Sequence, residues 1–135
     1  MNNKSYKAAA LILALITFSA CALSGCSPYT SSYSAVGFVH SNSSKSANMS
    51  FYEFKGSIYF TFKAEEGEKL VWSSQLESGD ITVYYDYNGE KTELFKLKDG
   101  ETNESQKEIP ASGTLYVIVE TDGQCRNGVL VFDIM

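Results

Sequence analysis

Over residues 57–64 the chain alternates strictly, with Ile58, Phe60, Phe62 and Ala64 on one side and Tyr59, Thr61 and Lys63 on the other. A repeat of two puts successive side chains on opposite faces of an extended chain, so this segment predicts a half-buried strand. Glu66-Gly67 supplies a turn, and residues 70–74 resume with Leu70 and Trp72 on the buried side. Ser78-Gly79 turns again into residues 81–87, where Ile81, Val83, Tyr85 and Tyr87 oppose Thr82, Tyr84 and Asp86. Asn88-Gly89 then separates two β-like runs. Both central residues of a type I′ turn need positive φ, which Asn and Gly tolerate, so the dipeptide predicts a hairpin of 81–87 with 91–97.

Asp99-Gly100 opens a polar stretch to Gln106 that reads as a loop, and Ile109 and Pro110 mark a short edge-like segment. In residues 114–120, Leu115, Val117 and Val119 alternate with Tyr116 and Ile118. Both sides are apolar there, which predicts a central strand covered on both faces. Residues 128–135 form the last strand and bury Leu130, Phe132 and Ile134. Two earlier strands are expected at 36–40 and 49–54, with the Ser/Asn-rich stretch 41–48 as a long loop. About eight short strands, with turns every 8–12 residues and no helical period beyond the N-terminal block, predict an all-β fold: a small antiparallel, jelly-roll-like β-sandwich.

The N-terminus differs in kind. Lys4 and Lys7 precede an almost unbroken apolar run over residues 8–22, the layout of a secretory signal helix. The run ends in Leu23-Ser24-Gly25-Cys26. This resembles the lipobox of bacterial lipoproteins, in which small residues stand between a leucine and an invariant cysteine. The resemblance implies cleavage between Gly25 and Cys26, a diacylglycerol on the Cys26 thiol, and acylation of the new amine. Cys21 follows Phe18 rather than leucine at the corresponding spacing, so Cys26 fits better. Two or three acyl chains hold a protein on a membrane essentially permanently, whereas one does not. The implied partner is membrane lipid on the extracytoplasmic face, in the cell membrane or, because serine rather than aspartate follows Cys26, the outer membrane. The chain thus divides into a signal peptide (1–25), a flexible Ser-rich lipidated tether (26–34) and the sandwich (35–135).

The order of features over residues 56–134 resembles the bacterial pre-peptidase C-terminal domain, a β-sandwich related to collagen-binding modules. The matching pieces are Tyr59-Phe60-Thr61-Phe62, Gly79-Asp80-Ile81-Thr82-Val83-Tyr84, Gly113-Thr114-Leu115-Tyr116-Val117-Ile118-Val119 and Val129-Leu130-Val131-Phe132. Members of that family usually accompany a catalytic domain. With 135 residues there is room for one domain only, so the resemblance implies a binding or structural role.

Composition narrows the chemistry. The chain has a net charge of −5; of its 11 basic side chains Lys4 and Lys7 belong to the signal, which leaves 9 against all 16 acidic ones and a net −7 after Gly25. A domain so charged repels phosphates, so nucleic acid is not an expected partner. His40 is the only histidine, and Cys125 would be the only thiol left in the folded domain, in what reads as a loop over residues 122–128. A nucleophilic triad, a zinc site and a phosphate-binding glycine loop all lack their residues, so neither enzymatic activity nor a cofactor is expected. Asp80, Asp86, Asp99 and Asp122 each lie beside a glycine or an Asn-Gly turn and are weak calcium candidates, since calcium takes oxygen ligands from irregular loops. The same residues favour turns for backbone reasons alone. Tyr59 and Tyr84, with Tyr52, fall opposite the expected core positions. Such a row could stack on sugar rings or grip a protein, or simply stabilise cross-strand pairs. The sequence therefore points to a lipid-anchored binding or structural module with a protein or glycan partner, and alternatively to a carbohydrate-binding module using Tyr52, Tyr59 and Tyr84.

Overall fold

The computed structural model describes residues 27–135; the signal segment, Gly25 and Cys26 lie outside the described residues. The fold is an antiparallel β-sandwich with no helix among those residues. Nine strands follow in order: β1 Ser32–Val36, β2 Val39–Asn42, β3 Ser46–Ala64, β4 Lys69–Ser78, β5 Ile81–Asp86, β6 Thr92–Leu97, β7 Thr102–Glu108, β8 Gly113–Thr121 and β9 Cys125–Ile134.

The pairing is simpler than that count suggests. β8 and β9 run one after the other along the same side of the 19-residue β3, pairing with its C-terminal and N-terminal halves respectively. β5 and β4 line up in the same way against β8 and β9, and β6 and β7 against β5 and β4. β1 and β2 share one register along the other side of β3. The molecule is thus one sheet of five long strands, four of them interrupted, and the continuous β3 bent, where they cross a common line. The interruptions are Gly37-Phe38, Gly79-Asp80, residues 98–101 and residues 122–124, and the bend in β3 is the stretch ending at Gly56.

Folding the sheet along that line lays its two halves face to face. The buried sets are Ala47, Met49, Phe51, Leu70, Trp72, Leu76, Leu130, Phe132 and Ile134 on one half, and Ile58, Phe60, Phe62, Ile81, Val83, Phe95, Leu97, Leu115, Val117 and Val119 on the other. Rings meet across the gap: Phe60 and Phe95 lie 6.2 and 6.5 Å from Phe132, and Trp72 stacks on Phe95 at 5.4 Å and 9°. The buried alternation shifts by one residue at the corner, from 47/49/51 to 58/60/62 and from 70/72/74/76 to 81/83. An extra residue in a bulge-like bend has this effect and keeps apolar side chains inward on both halves.

Two glycines at the line stand where a Cβ would strike neighbouring backbone: on Gly56 it would overlap the Ser32 carbonyl oxygen and the Tyr33 Cα. A Cβ on Gly79, at φ +121°, would lie 2.5 Å from Cys125 Sγ and 2.8 Å from its Cα. Cys125 is therefore not in a loop, as the sequence suggested, but is the first residue of β9 and fully buried beneath the corner. Burial raises its thiol pKa, and its Sγ faces the Asp80 carbonyl at 3.6 Å.

Other expectations change locally. Residues 102–106, expected within a loop, belong with Lys107 and Glu108 to the edge strand β7, in which TNESQKE keeps the unpaired edge polar. The stretch 41–48 is mostly strand, with only Ser43 to Lys45 turning between β2 and β3. The 81–87/91–97 hairpin forms with a bulge at Val83/Tyr84, but Asn88 is not at positive φ, so its turn is not type I′. Asp86 Oδ1 instead accepts the N–H groups of Asn88 and Gly89 at 3.1 and 2.7 Å. β8 is central as expected, with Ile118 only 4% exposed on the outer face.

Candidate functional site

Beyond Ser57, where β1 stops, no strand pairs with the second side of β3. Its outward N–H groups are nevertheless met. Tyr59 N–H donates to Ser31 Oγ (3.2 Å) and Lys63 N–H to the Ser44 carbonyl (2.9 Å). Between them, Thr61 N–H donates to Asn42 Oδ1 (2.9 Å) while Asn42 Nδ2 donates back to the Thr61 carbonyl (3.0 Å). One amide side chain thus replaces a missing strand partner.

The segment before β1 leaves this edge and lies over the outer face. Tyr29 packs on Tyr116 and Tyr59, with centroids 5.3 and 6.4 Å away, and donates its hydroxyl to Asp86 Oδ2 at 2.5 Å. The stretch expected to be a flexible tether is therefore seated on the sandwich from Tyr29 onward, and from Ser32 it is strand. Asp86 is 3% exposed, and its two oxygens accept three hydrogen bonds. Desolvation, then the hydrogen bond and charge of Asp86, push the Tyr29 hydroxyl up to about 12.

Between this segment, β2 and the free side of β3 lies an open groove of about 550 Å³. Tyr29, Thr30, Ser31 and Tyr33 form one wall, His40 and Asn42 another, and the β3 stretch from Ile58 to Thr61 the floor. Tyr33 stacks on buried Phe54 at 5.2 Å, and Phe38 stacks flat on His40 at 4.7 Å, so both groove rings are braced from behind. No Asp, Glu, Lys or Arg lines the groove.

The three candidate tyrosines separate. Tyr59 and Tyr84 share a row across the outer face, with Ile118 between them in register. Tyr59 faces the groove, whereas Tyr84 lies outside it under Lys91 Nζ, 4.3 Å from the ring centroid. Tyr52, 54% exposed, stands on the other side of the corner beside Gly37. Tyr29, Tyr33 and Asn42 were missed because they fall in stretches that read as tether and loop. Two tyrosines within eight residues of a supposed flexible linker were the available signal, since such linkers are poor in aromatics.

Of the calcium candidates, Asp80, Asp99 and Asp122 line one shallow depression at the corner together with Lys98. Asp99 is engaged with Gly79 N–H at 2.6 Å, and Asp86 is committed to Tyr29 and its own turn. Among the described residues no group of three acidic, histidine or cysteine side chains could hold a metal ion. His40 and Cys125 are not brought together: one lines the groove and the other is buried at the corner. No helix among the described residues is long and apolar enough to cross a membrane.

No protein-family model matches the chain, and no curated protein does so. Among solved structures, PliG from Aeromonas hydrophila, a periplasmic inhibitor of g-type lysozyme, is 20% identical with a TM-score of 0.48 over 68% of this chain and 88% of its own. PliG from Salmonella Typhimurium is 21% identical with a TM-score of 0.46, covering 70% of this chain and 92% of its own. TmCBM61 in complex with β-1,4-galactotriose is 13% identical with a TM-score of 0.45, covering 81% and 88%.

Proposed function

We propose that this chain is a bacterial lipoprotein, anchored through acylated Cys26, whose β-sandwich is a non-enzymatic binding module on the extracytoplasmic face of the cell or outer membrane. The lipobox-like Leu23-Ser24-Gly25-Cys26 after an apolar run supports the anchor. The binding role rests on the groove, where Tyr29, Tyr33, His40 and Tyr59 are gathered at the surface although none belongs to the buried core. Because Tyr29 is seated on the sheet, only Ser27 and Pro28 separate it from Cys26. Three extended residues span at most about 11 Å, so an acylated Cys26 would hold the sandwich close against the lipid headgroups. The test is expression of the full chain in a bacterial host with a clickable fatty acid. Wild type is expected to incorporate label and sediment with membranes, and Cys26→Ala to lose both. Label retained by Cys26→Ala would refute the anchor.

A further inference from the structure

We infer that the groove beside the free side of β3 is a subsite for a short, neutral oligosaccharide; this names the ligand class of the proposed binding module and rests on that reading. Charge comes first. With no carboxylate, ammonium or guanidinium in its lining, the groove has no permanently charged side chain to pair with an ionic ligand, and an unpaired charge is costly to desolvate. The lining is instead amphipathic. The rings of Tyr33, Tyr59 and His40 offer flat apolar faces, while the hydroxyls of Thr30, Tyr33, Tyr59 and Thr61 make no side-chain hydrogen bond among the described residues. A pyranose has the matching character: C–H bonds on its flat faces and hydroxyls around its rim. The groove volume of about 550 Å³ falls within the ordinary range of small-ligand sites.

A peptide is the competing ligand, and its simplest mode would be to add a strand to the open side of β3. That mode is closed. Tyr59, Thr61 and Lys63 have already given their outward N–H groups to Ser31, Asn42 and Ser44, and Asn42 also occupies the Thr61 carbonyl. An incoming strand would first have to displace them. A ligand recognised by side chains alone fits what remains. Asp86 is a positioning residue here, since it fixes the Tyr29 wall without reaching the groove.

The experiment is NMR and calorimetric titration of the folded full-length Cys26→Ser chain with four neutral probes: cellohexaose, mannohexaose, maltohexaose and N-acetylchitohexaose. At least one is expected to bind in the micromolar to millimolar range and to shift the His40 ring signals. Tyr33→Ala and Tyr59→Ala should each weaken that binding about tenfold or more. Tyr84→Ala and Tyr52→Ala, outside the groove, should leave it unchanged. Both groove rings are partly exposed, and thermal melting checks that the variants fold; should one not fold, the His40 shifts in wild type decide. Absence of binding by all four probes, or binding that leaves His40 unmoved, overturns the inference. So does binding that survives in folded Tyr33→Ala and Tyr59→Ala. If instead a purified envelope protein binds in a Tyr33-dependent way while every glycan fails, the binding-module reading stands and the ligand class falls.

Discussion

Asp86 shows how much one residue's role depends on its surroundings. Beside Asn88-Gly89 its carboxylate is a plausible cation ligand, yet in the fold both oxygens are used, one by two backbone N–H groups of its own turn and the other by a tyrosine 57 residues earlier. Asp86→Ala should therefore cost about 2–3 kcal/mol, because it removes all three hydrogen bonds to the carboxylate, whereas Tyr29→Phe removes one of them and should cost about 1.5 kcal/mol. Chemical denaturation compares the two, and equal costs would contradict this division. The same contact has a pH signature. The Tyr29 pKa is raised in the fold from 10.0 to about 12, so the folded state holds that proton more tightly. Its contribution to stability is complete below pH 10 and is lost as pH rises from 10 towards 12. Tyrosinate absorbance should show one late-titrating tyrosine that disappears in Tyr29→Phe. A partner so distant in sequence leaves no local pattern, which is why the sequence showed the turn but not the latch.

At the scale of elements, alternation is local and was legible: the strands around Phe60, Ile81, Val117 and Phe132 are where the pattern of two puts them. What alternation cannot show is that β8 and β9, or β4 and β5, are halves of one long strand, because the phase shift at the corner makes each read as two. The corner itself rests on close approach. Gly79→Ala would combine a strained positive φ with overlap against the Cys125 backbone, and should cost about 2–5 kcal/mol. Gly89→Ala, at φ +92° with open space around it, carries the conformational cost alone, about 1–2 kcal/mol. Urea unfolding of the two variants measures the difference; if Gly79→Ala is no worse than Gly89→Ala, close packing at the corner is not what selects glycine there. β7 was missed for a related reason: an edge strand with no buried face has no alternation to display.

For the whole molecule, the fold turns its one described cysteine into a reporter. Cys125 is fully buried with its thiol pKa raised, so a thiol reagent should reach it only when the two halves open. In a chain carrying Cys21→Ser and Cys26→Ser, labelling of Cys125 should follow global unfolding and accelerate with denaturant; rapid labelling of the folded protein would show that the corner opens locally. By itself the sequence determined the all-β class, the apolar set that must be buried, the acidic surface and the lipobox-like segment, because each is written in neighbouring residues. Only the tertiary structure decided which side chains share a surface. It drew Tyr29 and Tyr33 from a supposed tether and Asn42 from a supposed loop to Tyr59, and it left Tyr52 and Tyr84 apart. The physical reason is that a site at the open flank of a folded sheet is assembled by the corner and by hydrogen bonds between distant segments, and those energies have no footprint in the local spacing of residues.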